Sequence, residues 1–186
     1  MTCNYYLEIR FQGKVKDTDQ SDTENAVPQG MAGNGNTVYL LKTRKSTETD
    51  VSDRDYIIKI LNANTTSPKV VLPENAFSAG HGNGMTYYNG YLYIAAGEDF
   101  DAIYRVQETN NTSTAWDPLT EWTEGKGTAH YKKEKMTVNV NDINSDEDIR
   151  NIAHYTGNYF IVCLKRKYEG TTNTLTYGVF ELNETT

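Results

Sequence analysis

Long apolar runs are missing from this 186-residue sequence: none approaches the roughly 20 residues needed to span a bilayer as a helix. Cysteine is nearly missing too. Cys3 and Cys163 lie far apart in sequence, which leaves one bridge open and two free thiols at least as well supported. The three histidines lack ligand spacing, so no zinc site, other metal or cofactor is expected. Excess positive charge is also lacking. A net charge of −7 argues against general affinity for nucleic acid or anionic membrane. No Gly-x-Ser-x-Gly elbow, phosphate loop, dinucleotide fingerprint or Cys-x-x-Cys occurs, which lowers the expectation of an enzyme. The first residues lack a basic region followed by an apolar stretch, so no signal peptide is visible, and the compartment stays open between extracellular, cell-surface and other locations.

What is abundant is Thr, Asn, Gly and 14 Tyr, a composition suited to short strands and polar turns. Met85–Tyr88 and Tyr91–Ala95 flank Asn89-Gly90, the strongest short-range hairpin signal. Moving back 54 positions places Gly30 on Gly84, Met31 on Met85, Val38 on Leu92 and Tyr39 on Tyr93. Moving forward 67 positions places Tyr155 on Tyr88, Gly157 on Gly90 and Phe160-Ile161 on Tyr93-Ile94. Self-similarity of this kind marks a repeat architecture.

Each hairpin is followed by a third apolar strand, at residues 56–61, 102–106 and 176–182, and the first two units by a fourth, at 69–72 and 135–140. Tyr5, Leu7, Ile9 and Phe11 alternate as an N-terminal strand that can complete the third unit, for twelve strands in all. The expected fold is all-β: three four-stranded antiparallel repeats of β-propeller type. The expected boundaries are an N-terminal strand in 1–16, an acidic linker in 17–27, and blades in 28–75, 80–140 and 147–186, together one domain. Three blades are fewer than a propeller usually has, so either two chains form a six-bladed, two-fold homodimer or the chain is part of a longer propeller.

Gly80-His81-Gly82-Asn83-Gly84 is the densest chemical segment, just before an innermost strand. Glycines allow close backbone approach, while His81 and Asn83 offer an imidazole and an amide. Two readings stand: a ligand contact or general base at a channel mouth, or a turn whose histidine satisfies local backbone groups. His154 aligns with Tyr87, and both are candidates to face a channel or a blade interface. Trp116 and Trp122, in a long insertion, either stack on sugar rings or grip a partner, or else pin the insertion onto the blade. Asp142–Asp148 begins like a calcium loop, but Glu147 and Ala153 occupy the places of the required Gly and Glu, so an acidic loop is expected. The clusters Lys42/Arg44/Lys45, Lys132/Lys133/Lys135 and Lys165/Arg166/Lys167 read as solvated strand ends.

Residues Gly80–Ala95 resemble a His-Gly/Ala-Asn-Gly/Asp-Met-x-Tyr-x-Asn-Gly-x-Leu-Tyr-x-Ala pattern of helveticin-type, propeller-like proteins of Gram-positive bacteria. The similarity is sharp over about 16 residues and looser through Gln29–Leu41 and Asn151–Val162. The resemblance implies a bacterial protein, secreted or surface-associated, that binds cell-envelope or carbohydrate material. The leading expectation is thus a non-catalytic binding protein for a glycan or a protein partner. The alternatives are a polysaccharide hydrolase or lyase with His81 as base, assisted by Asp99 or Asp101, and a purely structural protein.

Overall fold

The computed structural model describes residues 26–44, 54–71, 73, 77, 79–96, 102–109, 130–136, 147–166 and 174–182. Among them are eleven strands in three antiparallel sheets, and no helix. The first sheet runs in the order β1 (Ala26–Asn34), β2 (Thr37–Arg44), β3 (Arg54–Leu61), β4 (Lys69–Val71). The second runs β5 (Gly84–Tyr88), β6 (Tyr91–Ala95), β7 (Ile103–Thr109), β8 (His130–Met136). The third contains β9 (Glu147–Thr156), β10 (Tyr159–Arg166) and β11 (Thr174–Glu181), with β10 in the middle. The N-terminal strand expected to complete that sheet lies outside the described residues.

The 54-residue repeat extends to individual backbone pairs. Gly84↔Ala95, Met85↔Ile94, Thr86↔Tyr93 and Tyr87↔Leu92 in the second sheet become Gly30↔Leu41, Met31↔Leu40, Ala32↔Tyr39 and Gly33↔Val38 in the first. Asn89 and Gly90 both take positive φ, 49° and 86°, as a type I′ turn requires. In the first and third hairpins only the first central residue does, Gly35 at 56° and Gly157 at 52°.

The third hairpin departs from the spacing expected for it. Tyr159 pairs with Thr156 but Phe160 pairs with His154, so Tyr155 is the extra residue of a β-bulge. The offset is therefore 67 before the bulge and 68 after it. Phe160 takes the place of Leu92, not Tyr93, and Gly157 that of Asn89, not Gly90. A one-residue slip exchanges the two faces of a strand, and it decides which side chains are buried. With the corrected offset, Phe160 and Val162 match Leu92 and Ile94, and all four are at most 3% exposed.

The outermost strand of the second sheet begins before the apolar alternation of 135–140: residues 135 and 136 belong to it, and 137–140 lie outside the described residues. It spans His130–Met136, a charged run, and pairs along β7 from Ile103↔Met136 to Thr109↔His130. Cross-strand contacts outweigh apolar content here. Arg105 Nη2 lies 2.6 Å from Glu134 Oε2, Lys133 Nζ sits 5.0 Å from the centre of the Tyr104 ring, and Tyr131 is fully buried.

The sheets stack face to face. Leu41, Ile57 and Phe77 of the first unit pack with Met85, Leu92, Ile94, Val106 and Tyr131 of the second. The opposite face of the second sheet, with Tyr93, Ala95, Ile103 and Met136, packs on Ile149, Ile152, Phe160, Val162 and Leu164 of the third. Each fully buried aliphatic chain in these layers contributes about 1.5–3 kcal/mol. Lys59 Nζ reaches Glu108 Oε1 at 2.6 Å across the rim between the first two sheets. Lys42 lies 5.5 Å from the centre of the Tyr56 ring, so this strand-end lysine covers an aromatic while its charge stays near water.

Candidate functional site

The leading strand of each sheet lies beside that of the next, β1 against β5 and β5 against β9. Close approach there depends on missing side chains. A β-carbon on Gly30 would stand 3.0 Å from Met85 Cβ, and one on Gly84 would stand 2.9 Å from Asn151 Cα. Gly30, Gly84 and Asn151 are repeat equivalents, so the three strands meet at one level.

One residue earlier stand Gln29, Asn83 and Arg150. Pairing jumps from Pro28↔Lys42 to Gly30↔Leu41 and from Leu164↔Ile149 to Cys163↔Asn151, which leaves Gln29 and Arg150 outside the ladder as bulge residues. Asn83 immediately precedes the first paired residue of β5. Bulges re-aim a side chain out of the pleat. The result is one hydrogen-bonding side chain per sheet, each half-buried, at the same end of the stack. Only Asn83 stood out in the sequence. Gln29 and Arg150 were legible there through the offsets of 54 and 67 that align the neighbouring residues.

The segment before β5 is held by its backbone. His81 N and Gly82 N both donate to Ala96 O, at 2.5 and 3.1 Å, and Ala79 N donates to the fully buried carboxylate of Asp55 at 2.6 Å. Asp55 in turn exchanges two main-chain bonds with Phe77. The loop's donors are therefore met by Ala96 and Asp55, and His81 and Asn83 sit half-buried on a fixed frame. Beside them, Arg150 Nη2 pairs with the buried Asp148 carboxylate at 3.0 Å, and Asn151 Oδ1 accepts from Ile152 N at 2.8 Å. Asp148, the last residue of the acidic 142–148 segment, thus serves as a partner for Arg150.

Tyr87 and His154 lie at interfaces between sheets. Tyr87 stacks on Tyr39 of the first sheet, with centroids 5.8 Å apart and rings within 5° of parallel. His154 stacks on Tyr88 of the second at 3.8 Å and meets Phe160 edge-on. Its backbone N donates to Thr86 Oγ1, and Nε2 lies 3.0 Å from the Gly157 carbonyl oxygen. Of the six expected ligand-binding residues, His81 and Asn83 come together, and Tyr87 and His154 belong to aromatic seams.

Trp116 and Trp122, the carboxylates Asp99 and Asp101, and Cys3 lie outside the described residues. Cys163 is a buried free thiol. Its hydrogen bond with Tyr177, and then its charge, push that phenol's pKa above the ordinary value. Among the described residues no group of three or more His, Cys, Asp or Glu is placed to hold a metal ion, and no helix is long and apolar enough to cross a membrane. Compared with known protein families, curated proteins and solved structures, the chain matches none of them.

Proposed function

We propose that the three sheets are blades of a β-propeller-type protein, and that it acts as a non-catalytic binding module for a cell-envelope glycan. The reading rests on one observation above the others: Gln29, Asn83 and Arg150 occupy the same repeat position on the three leading strands, Gln29 and Arg150 as bulge residues and Asn83 just ahead of its strand. Two amides and a guanidinium, with the His81 imidazole on the adjoining loop, supply donors and acceptors suited to sugar hydroxyls. The frame below them is rigid, which limits the ordering cost of binding. The resemblance of Gly80–Ala95 to helveticin-type proteins points to the same ligand class and to a bacterial source.

The test is calorimetric titration of the full chain with a panel of bacterial cell-wall polysaccharides and their oligosaccharides. Saturable binding is expected. Asn83→Ala and Gln29→Ala should each weaken it by about 3- to 10-fold, the worth of one hydrogen bond, with the melting temperature unchanged. Absence of binding across the panel would remove the glycan assignment. Binding that both variants retain in full would move the site elsewhere.

A further inference from the structure

The third sheet has one face inward and one outward. Its inward face, with Phe160, Val162 and Leu164, is buried against the second sheet. Its outward face is also apolar. Tyr159 and Ile161 on β10 and Leu175, Tyr177 and Val179 on β11 share it, because Ile161 pairs with Val179, Cys163 with Tyr177 and Lys165 with Leu175. These five large side chains are 36–69% exposed. Scattered apolar residues on a surface need no explanation, but a contiguous patch marks an interface.

The repeat identifies what kind of face this is. With the offset of 68 that follows the Tyr155 bulge, Tyr159, Ile161 and Cys163 hold the places of Tyr91, Tyr93 and Ala95. Tyr93 and Ala95 are buried, on the face of the second sheet that receives the third. The outward face of the third sheet is thus built to receive another sheet.

We propose that a second copy of this chain covers it, face to face about a two-fold axis lying across the strands. Charge complementarity selects that occupant and arrangement. The patch is bounded by Lys165 at one end and Glu181 at the other, so a two-fold axis across the strands brings the cationic end of each copy to the anionic end of its partner. At the other end of the stack, the outer face of the first sheet buries Tyr56, Ile58 and Ile60 and leaves Met31 and Val70 47% and 45% exposed. The five side chains offer about 600 Å² per copy, close to the roughly 800 Å² each partner contributes to a standard interface once the rim is added. The inference is independent of the glycan reading.

Sedimentation equilibrium of the full chain from about 1 to 100 µM tests it. The expected mass is twice the 21.0 kDa of one chain, falling to one chain in Tyr177→Lys and Val179→Lys. Val70→Lys, at an exposed apolar residue of the first sheet, should leave the mass doubled. Lys165→Glu, a polar change that keeps the fold, should raise the dissociation constant by about 10-fold, and adding Glu181→Lys should restore it. A single-chain mass throughout the range overturns the proposal and assigns the face to other residues of this chain or to a different protein. A doubled mass indifferent to Val179→Lys and to the charge reversals overturns it as well.

Discussion

Gly84 and Asn151 meet backbone to side chain, with no space for a methyl group between them: a β-carbon on Gly84 would lie 2.8 Å from Asn151 Cγ and 2.9 Å from its Cα. This is the contact that lets the second and third leading strands run side by side. Gly84→Ala should therefore destabilise the chain by about 2–4 kcal/mol, because the obstructing atoms include backbone and cannot swing away. Gly90→Ala is the control. Its φ is +86° and nothing lies within 4 Å of the added carbon, so the cost is conformational only, about 1 kcal/mol. Urea unfolding of both variants measures the difference, and equal losses would remove the packing argument.

Asp55 is a carboxylate with no exposed surface, yet it sits where β3 begins and the loop toward β5 passes. Its side chain holds Ala79 N while its main chain holds Phe77, so one residue fixes the frame that carries His81 and Asn83. Asp55→Ala leaves a buried amide donor without its acceptor and should cost about 2–4 kcal/mol. Asp55→Asn keeps an oxygen in place and should cost less. The ordering of the two midpoints in urea is the check, and Asn no better than Ala would show that charge, not the hydrogen bond, is what matters.

The repeat and the strand pairing were legible because Gly30/Gly84, Met31/Met85 and Tyr39/Tyr93 recur at one offset, and that offset holds in every backbone pair of the hairpins. The third hairpin was misaligned by one residue because Tyr155 looks like Tyr88 by type, while a bulge leaves no mark in composition. The start of the second sheet's outer strand, at His130, was missed because Lys132–Lys135 reads as solvated. Its stabilisation comes from Glu134, Tyr104 and Arg105 across the ladder, which local alternation does not reveal. In the candidate site, Asn83 was visible beside two glycines. Arg150 could be reached only through the offset of 67, because its significance lies in the unpaired position it occupies and not in its residue type.

Tyr131 places a phenol in the layer between the first two sheets, with no exposed surface. Burial, then the charge of Glu108, then Tyr39, push its pKa above the ordinary value of 10. Tyr39 is shifted the same way, chiefly by burial. Below about pH 10 the folded and unfolded chains both keep these protons, so pH has no effect through them. Above it the unfolded chain releases protons that the folded chain retains, the unfolded state binds fewer, and stability falls as pH rises. The melting temperature should drop steeply between pH 10 and the alkaline limit, and Tyr131→Phe should flatten that drop. A variant with the slope of the parent would show that another tyrosine governs it.

The ion pair of Lys59 with Glu108 bridges the first and second sheets at the rim, at 2.6 Å to Oε1 and 2.7 Å to Oε2. Its partners differ in solvation: the lysine side chain is 14% exposed and the glutamate 40%. The lysine stem therefore contributes packing as well as charge, while the glutamate remains open to water and to salt. A double-mutant cycle with Lys59→Met and Glu108→Gln should give a coupling of about 0.5–1 kcal/mol, shrinking as salt is raised. Lys59→Met should cost less than Lys59→Ala, because methionine retains most of the buried stem. Coupling near zero at low salt would mean that the apolar layers of Leu41, Ile57, Ile94 and Val106 alone set the register between these sheets.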